Sequence, residues 1–172
     1  IFNRRRLPAM IKAFAAATAG RADARLVIAG ADRSYPALDL PGLAAEAGVG
    51  GRVDIRSYIT EAELESLYSR AAVFLFLSEY EGFGLTPLEA LSAGIPIVVL
   101  DTPIAREVYG DAAWYVSPEN DVRGATAAIR ALLDDRASAD RILARAHDTL
   151  ARYSWDTTAE QTLAAIEGIV RR

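Results

Sequence analysis

The chain has 172 residues, 52% of them hydrophobic and 24% charged, which suits one sizeable core and excludes a disordered segment. Lys and Arg total 19 against 23 Asp and Glu, a net charge of −4, so nothing favours a protein that coats nucleic acid or anionic lipid. The absence of cysteine, and a single histidine at His147, exclude disulfides, thiolate metal sites, cysteine nucleophiles and multi-histidine metal centres.

The N-terminus, Ile1-Phe2-Asn3-Arg4-Arg5-Arg6, runs straight into an amphipathic helix expected over Pro8 to Ala19. Apolar runs then alternate with helical patterns. Strands are expected over Arg25 to Gly30, Arg52 to Ile55, Val73 to Leu77, Pro96 to Leu100 and Ala112 to Val116. Between them fall helices over Leu38 to Ala47, Glu61 to Ser69, Thr86 to Gly94 and Ile104 to Tyr109. From Asp121 the strands stop, and helices follow over Asp121 to Leu133, Ala137 to Arg152 and Trp155 to Arg171. This βαβ alternation implies an α/β fold with a doubly wound, Rossmann-like parallel sheet and a helical C-terminal end. The whole chain reads as one domain, a βαβ core to residue 120 and C-terminal helices beyond it. Because the first helix has no strand before it, the first strand of the first βαβ unit is expected to be truncated.

Local punctuation supports these boundaries. Thr60 with Glu63, and Thr86 with Glu89, both have capping-box spacing, the second with Pro87 expected at the first helical position; Ser154 is a third cap. No apolar run approaches the roughly 20 residues that span a bilayer, and no secretion signal opens the chain, so the expected compartment is the cytoplasm. Trp114 and Trp155 read as packing residues, and His147 as a solvated one on a late helix.

Ligands of open α/β sheets bind beyond the carboxyl ends of the strands, which directs attention to the loop after Leu77. It runs Ser78-Glu79-Tyr80-Glu81-Gly82-Phe83-Gly84-Leu85-Thr86-Pro87-Leu88-Glu89, leaving a buried strand and entering a helix through two glycines. Glycines let backbone N–H groups approach a ligand, and a helix start adds unpaired donors, so together they suit a phosphate or diphosphate. Glu81 and Glu89 bracket this site; ionised carboxylates there accept hydrogen bonds from vicinal hydroxyls. Glu89 has the capping box as its alternative role, and Glu81 that of a solvated loop residue.

The run E-G-F-G-L-T-P-L-E-A-L-S-A-G-I-P-I-V from Glu81 to Val98 resembles the signature of retaining GT-B glycosyltransferases of family 4, the glycosyl transferases group 1. L-P-A-M-I-K-A-F from Leu7, L-V-I-A-G from Leu26, E-A-E-L-E-S-L-Y-S-R-A from Glu61, E-V-Y-G-D-A-A from Glu107 and Y-S-W-D-T-T-A from Tyr153 follow in the order of the same family. The resemblance spans nearly the whole chain and matches the donor-binding, C-terminal half of such an enzyme. It implies sugar transfer from a nucleoside diphosphate sugar (GDP, UDP or dTDP) to an acceptor hydroxyl, in polysaccharide, lipopolysaccharide or glycolipid synthesis, with no cofactor and no metal. By the same resemblance, Glu81 contacts donor-sugar hydroxyls at the reacting face, and the loop of Gly82, Phe83, Gly84, Leu85 and Thr86 holds the sugar and distal phosphate through its backbone. Glu89 binds the ribose, Tyr58, Ile59 and Leu64 wall the base, and Arg5, with Arg4 and Arg6 as alternatives in register, neutralises the departing diphosphate.

The acceptor pocket is expected on an N-terminal GT-B domain outside this chain, and with it any attachment to the inner membrane face; this chain alone is therefore expected to be inactive. The last helix would leave Leu163, Ile166 and Val170 bare, which favours self-association of the chain. No nucleic-acid partner is expected. Two other readings are a non-catalytic nucleotide-sugar-binding module on the same fold and an unrelated dinucleotide-binding α/β domain. The second gives the Glu81 to Glu89 loop no role.

Overall fold

Ile97–Leu100 are four successive aliphatic residues, all buried, and a strand buried at every position needs cover on both faces. In the computed structural model, which describes residues 1–170, this is β4. It lies between β3 (Phe74–Phe76) and β5 (Trp114–Val116) in a parallel ladder that pairs Phe74 with Ile97 and Val98 with Trp114. A second parallel ladder joins β1 (Leu26–Ala29) to β2 (Val53–Arg56), with Leu26 opposite Val53. The helices are α1 (Leu7–Ala17), α2 (Leu40–Glu46), α3 (Glu61–Tyr68), α4 (Leu85–Ser92), α5 (Pro103–Tyr109), α6 (Asp121–Asp134), α7 (Arg136–Leu150) and α8 (Trp155–Val170). Every element expected from the sequence is present, with each described boundary within two residues; Arg171, the expected end of the last helix, lies outside the described residues.

The fold class is the α/β alternation expected, and among the described residues its strands form two separate ladders. The start of the chain ties their carboxyl ends together. The Arg33 amide donates to the Ile1 carbonyl at 2.9 Å. At the other ladder, the Glu79 amide donates to the Arg4 carbonyl at 2.9 Å. The first residues therefore lie between the loops that follow β1 and β3.

α1 buries Leu7, Met10, Ile11, Phe14 and Ala17, the spacing of one helical face, and its neighbour is α6. Arg130 of α6 donates to the Ala16 carbonyl at 2.6 Å, and Arg21 just beyond α1 pairs with Asp134. Arg52 at the start of β2 lies 5.2 Å from the Phe14 ring centroid and donates to the Thr18 hydroxyl at 2.8 Å, which joins β2 to the end of α1.

The caps divide. At α3 the Glu63 amide donates to the Thr60 hydroxyl and the Thr60 amide to the Glu63 carboxylate, a complete capping box. Ser154 caps α8 by accepting from the Thr157 amide at 3.3 Å. The box expected at Thr86 does not form. Gly84, at φ 93°, is the residue that precedes α4, so the helix begins two residues earlier than a Thr86 cap requires. Thr86 and Pro87 then lie inside the first turn, and Glu89 lies beyond it.

Trp114 is half-buried against the core as expected, whereas Trp155, also read as a packing residue, is 79% exposed at the start of α8. Its neighbours account for the difference: α8 is exposed along its described length. Leu163 and Ile166 are bare, and the side chain of Val170 lies outside the described residues. Among the described residues no helix is long and apolar enough to cross a membrane.

Gly124 shows how closely α6 approaches the sheet. A Cβ on Gly124 would lie 2.8 Å from Val116 Cγ1, a β-branched side chain with little freedom to yield. Gly124→Ala therefore gains about 1 kcal/mol of helix propensity but incurs an overpacking cost of about 1–3 kcal/mol. The expected net result is a lower urea midpoint with an unchanged slope.

Candidate functional site

Glu81 leaves the end of the β3 strand with its side chain only 16% exposed, which removes the solvated-loop alternative. The Ser78 hydroxyl donates to Glu81 Oε1 at 2.8 Å. Arg5 approaches the same oxygen at 3.3 Å, and Arg4 approaches Oε2 at 3.3 Å. One carboxylate thus holds two guanidinium groups from the start of the chain. Arg4 Nε also donates to the Tyr80 carbonyl at 2.9 Å, while the Arg5 guanidinium lies 4.8 Å from the Phe76 ring centroid. Arg5 Nε is buried without a hydrogen-bond partner among the described residues, a donor left unspent.

The three consecutive arginines are therefore not equivalent. Arg5, the residue expected from the sequence, and Arg4, its alternative, meet Glu81. Arg6 turns away to Glu79 at 2.7 Å and Asp121 at 3.0 Å.

The glycine loop completes the surface. Gly82 and Phe83 are exposed, and the amides of Phe83, Gly84 and Leu85 donate to no acceptor among the described residues. Those amides stand at the N-terminal end of α4, where aligned peptide dipoles favour an anion. Gly84 is required there twice over. Its φ is left-handed, and a Cβ would overlap the Tyr109 hydroxyl, which donates to the Gly84 carbonyl at 2.9 Å. Tyr109 is buried, and that burial, with the Glu81 charge adding to it, holds its phenol far above the ordinary range. Phe83 meets Tyr153 edge to face, with centroids 5.0 Å apart and planes at 87°.

Glu89 is exposed on α4 and caps nothing, so the capping alternative fails for it. Its Oε2 accepts a long hydrogen bond, 3.4 Å, from the Tyr68 hydroxyl at the end of α3. Burial, reinforced by the Glu89 charge, pushes the Tyr68 phenol up to about 12. Of the expected base wall, Tyr58 is 81% exposed on the loop after β2, and Ile59 and Leu64 are half-buried on that loop and on α3. Among the described residues no hydrogen bond or ring contact joins these three side chains to Glu81 or Glu89. His147 is exposed on α7, as expected.

Ser78, Tyr68 and Tyr109 join the site through contacts that the sequence motifs do not include. Ser78 stands three residues before Glu81, a short-range signal that could have found it. Tyr109 reaches Gly84 across 25 positions, and no local pattern reports such a contact.

A family model described as Glycosyl transferases group 1 matches residues 1–149. The chain is 36% identical over 151 residues to a GDP-mannose:cellobiosyl-diphosphopolyprenol alpha-mannosyltransferase of Komagataeibacter xylinus, covering 86% of this chain and 38% of that protein. It is 36% identical over 115 residues to O-antigen chain mannosyltransferase B of Escherichia coli, covering 67% of this chain and 30% of that one. The chain spans about a third of the length of the curated relatives it matches. Among solved structures, a pneumococcal O-GlcNAc transferase, GtfA, in complex with UDP and GlcNAc superposes with a TM-score of 0.82 at 18% identity, covering 99% of this chain and 34% of that one. Sucrose-phosphate synthase of Thermosynechococcus elongatus superposes with a TM-score of 0.81 at 22% identity, covering 98% and 43%. At these identities the shared property is the fold, the parallel α/β architecture of a GT-B domain.

Two outcomes follow from the tyrosines. Tyr109→Phe removes the donor to Gly84 and leaves a carbonyl without its partner, so chemical denaturation should show a loss of about 1–2 kcal/mol. Tyr68 holds its proton more tightly in the folded chain than at its ordinary value of 10.0, so its contribution is complete below pH 10 and drains away between 10 and about 12. The urea midpoint should therefore fall over that alkaline window, and less steeply in Tyr68→Phe.

Proposed function

Because the chain belongs to the glycosyl transferases group 1, we propose that it is the donor half of a retaining glycosyltransferase and binds a nucleoside diphosphate sugar at the carboxyl end of β3. The observation that carries this reading is the convergence at Glu81. Two guanidinium groups, one with an unspent Nε donor, stand beside a carboxylate whose own loop continues into three free backbone amides.

In this reading the diphosphate lies between the arginines and the start of α4. Glu81 accepts from sugar hydroxyls with its remaining lone pairs, while Arg4 and Arg5 present their remaining N–H donors to the phosphates. As the bond from sugar to phosphate breaks, negative charge grows on the leaving diphosphate, and fixed guanidinium and amide donors stabilise it without reorganising. The charge is met by arginine and backbone, with no metal. Glu89, freed from capping and presented on the exposed face of α4, accepts from the ribose hydroxyls, and Tyr68 restrains its carboxylate. The acceptor binds a second domain, so this chain binds donor without transferring it. The Komagataeibacter relative is named for GDP-mannose, which makes GDP the first nucleotide to test.

Calorimetric titration of the folded chain with GDP, UDP and dTDP tests the assignment. One nucleotide should bind, and Glu89→Ala should weaken it by about 10- to 100-fold, the worth of hydrogen bonds from hydroxyls to a charged acceptor. No binding by any of the three, or binding that Glu89→Ala leaves unchanged, overturns the donor-site assignment.

A further inference from the structure

Arg6 is the only residue other than glycine with positive φ among those described, at φ 51° and ψ 40°. A residue with a Cβ takes that conformation at a cost of about 1–2 kcal/mol, so something must hold it there. The Arg6 side chain does so with three contacts on two other parts of the chain. Its Nε donates to Glu79 Oε1 at 2.7 Å, in the loop after β3. Its Nη1 donates to the Pro118 carbonyl at 2.8 Å and to Asp121 Oδ2 at 3.0 Å, at the turn that opens α6.

The left-handed turn also sets where its two predecessors go. The Arg6 amide donates to the Asn3 carbonyl at 3.0 Å, closing a single helical turn over Asn3–Arg5, and Arg6 is also the residue that precedes α1. This reversal sends Arg4 and Arg5 to Glu81 while Arg6 points to Glu79 and Asp121. Glu79 is held from both sides, its carboxylate by Arg6 and its amide by the Arg4 carbonyl.

We propose that Arg6 is a positioning residue, a clamp that fixes Arg4 and Arg5 against Glu81 without itself touching the ligand. The proposal rests on the donor-site reading above, since Arg4 and Arg5 matter as diphosphate ligands only there. It differs from the alternative in which Arg6 is a third phosphate ligand, because the two predict opposite effects when the clamp's carboxylates are removed.

Two variants separate them. Arg6→Gly deletes the side chain at a position whose φ glycine adopts freely, so the fold is retained and only the clamp is lost. Glu79→Gln combined with Asp121→Asn keeps Arg6 and its charge but weakens its anchors. If Arg6 is a clamp, both variants should lower the affinity for the nucleoside diphosphate that the unaltered chain binds, each by about tenfold, the scale of one charge-assisted contact. If Arg6 binds phosphate directly, freeing it from two carboxylates should raise affinity in the double variant, and that result overturns the proposal, as does affinity unchanged in either variant.

Hydrogen exchange supplies a readout that needs no ligand. In both variants the amide of residue 79, bonded to the Arg4 carbonyl, should exchange about tenfold faster or more once corrected for the intrinsic rate of the residue present, while the global melting temperature holds. Unchanged exchange at Glu79 overturns the clamp even if nucleotide binds. If the unaltered chain binds no nucleoside diphosphate, the donor-site reading fails by itself, and exchange at Glu79 alone decides whether Arg6 fixes the start of the chain.

Discussion

The carboxylate of Glu81 joins two parts of the chain that lie far apart in sequence. Two guanidinium groups and a hydroxyl converge on its two oxygens, and the arginines come from a segment more than 70 positions away. That one anion therefore fastens the start of the chain to the end of β3. Arg6 with Glu79 and Asp121 completes the cluster, three guanidinium groups against three carboxylates.

The free amides of the glycine loop stand beside this cluster, and their freedom has a structural origin. Gly84 enters α4 in a left-handed conformation that a buried tyrosine underwrites by taking its carbonyl. The carbonyl is occupied and the neighbouring N–H groups are not, so the loop is rigid on the side facing the core and chemically open on the side facing solvent. Donors fixed in advance would lose little entropy on meeting an anion.

Periodicity alone located the strands and helices, because buried parallel strands such as Ile97–Leu100 have no polar positions and the intervening helices do. The carboxyl-end loop with Glu81, the two glycines and Glu89 was equally visible, since its residues are contiguous. What sequence could not supply was the outcome of competition between local rules. Thr86-Pro87-Leu88-Glu89 satisfies a capping pattern, yet the helix starts earlier, after Gly84, whose carbonyl accepts from the distant Tyr109 hydroxyl. Likewise, three adjacent arginines look alike as text. They separate only because a left-handed backbone at Arg6 faces them in different directions. Trp155 departs from the expected packing role for the same reason, since its burial depends on what lies beside α8 and not on its own type.

The edge-to-face pair of Phe83 and Tyr153 links two regions that are far apart in the chain. Tyr153 immediately precedes the Ser154 cap of α8, and its hydroxyl donates to the Val108 carbonyl at 3.1 Å near the end of α5. The root of the bare C-terminal helix is thus pressed against the ring that stands between Gly82 and Gly84. Loss of the Tyr153 ring would therefore leave the Phe83 ring without the edge it meets and the start of α8 without its tie to α5.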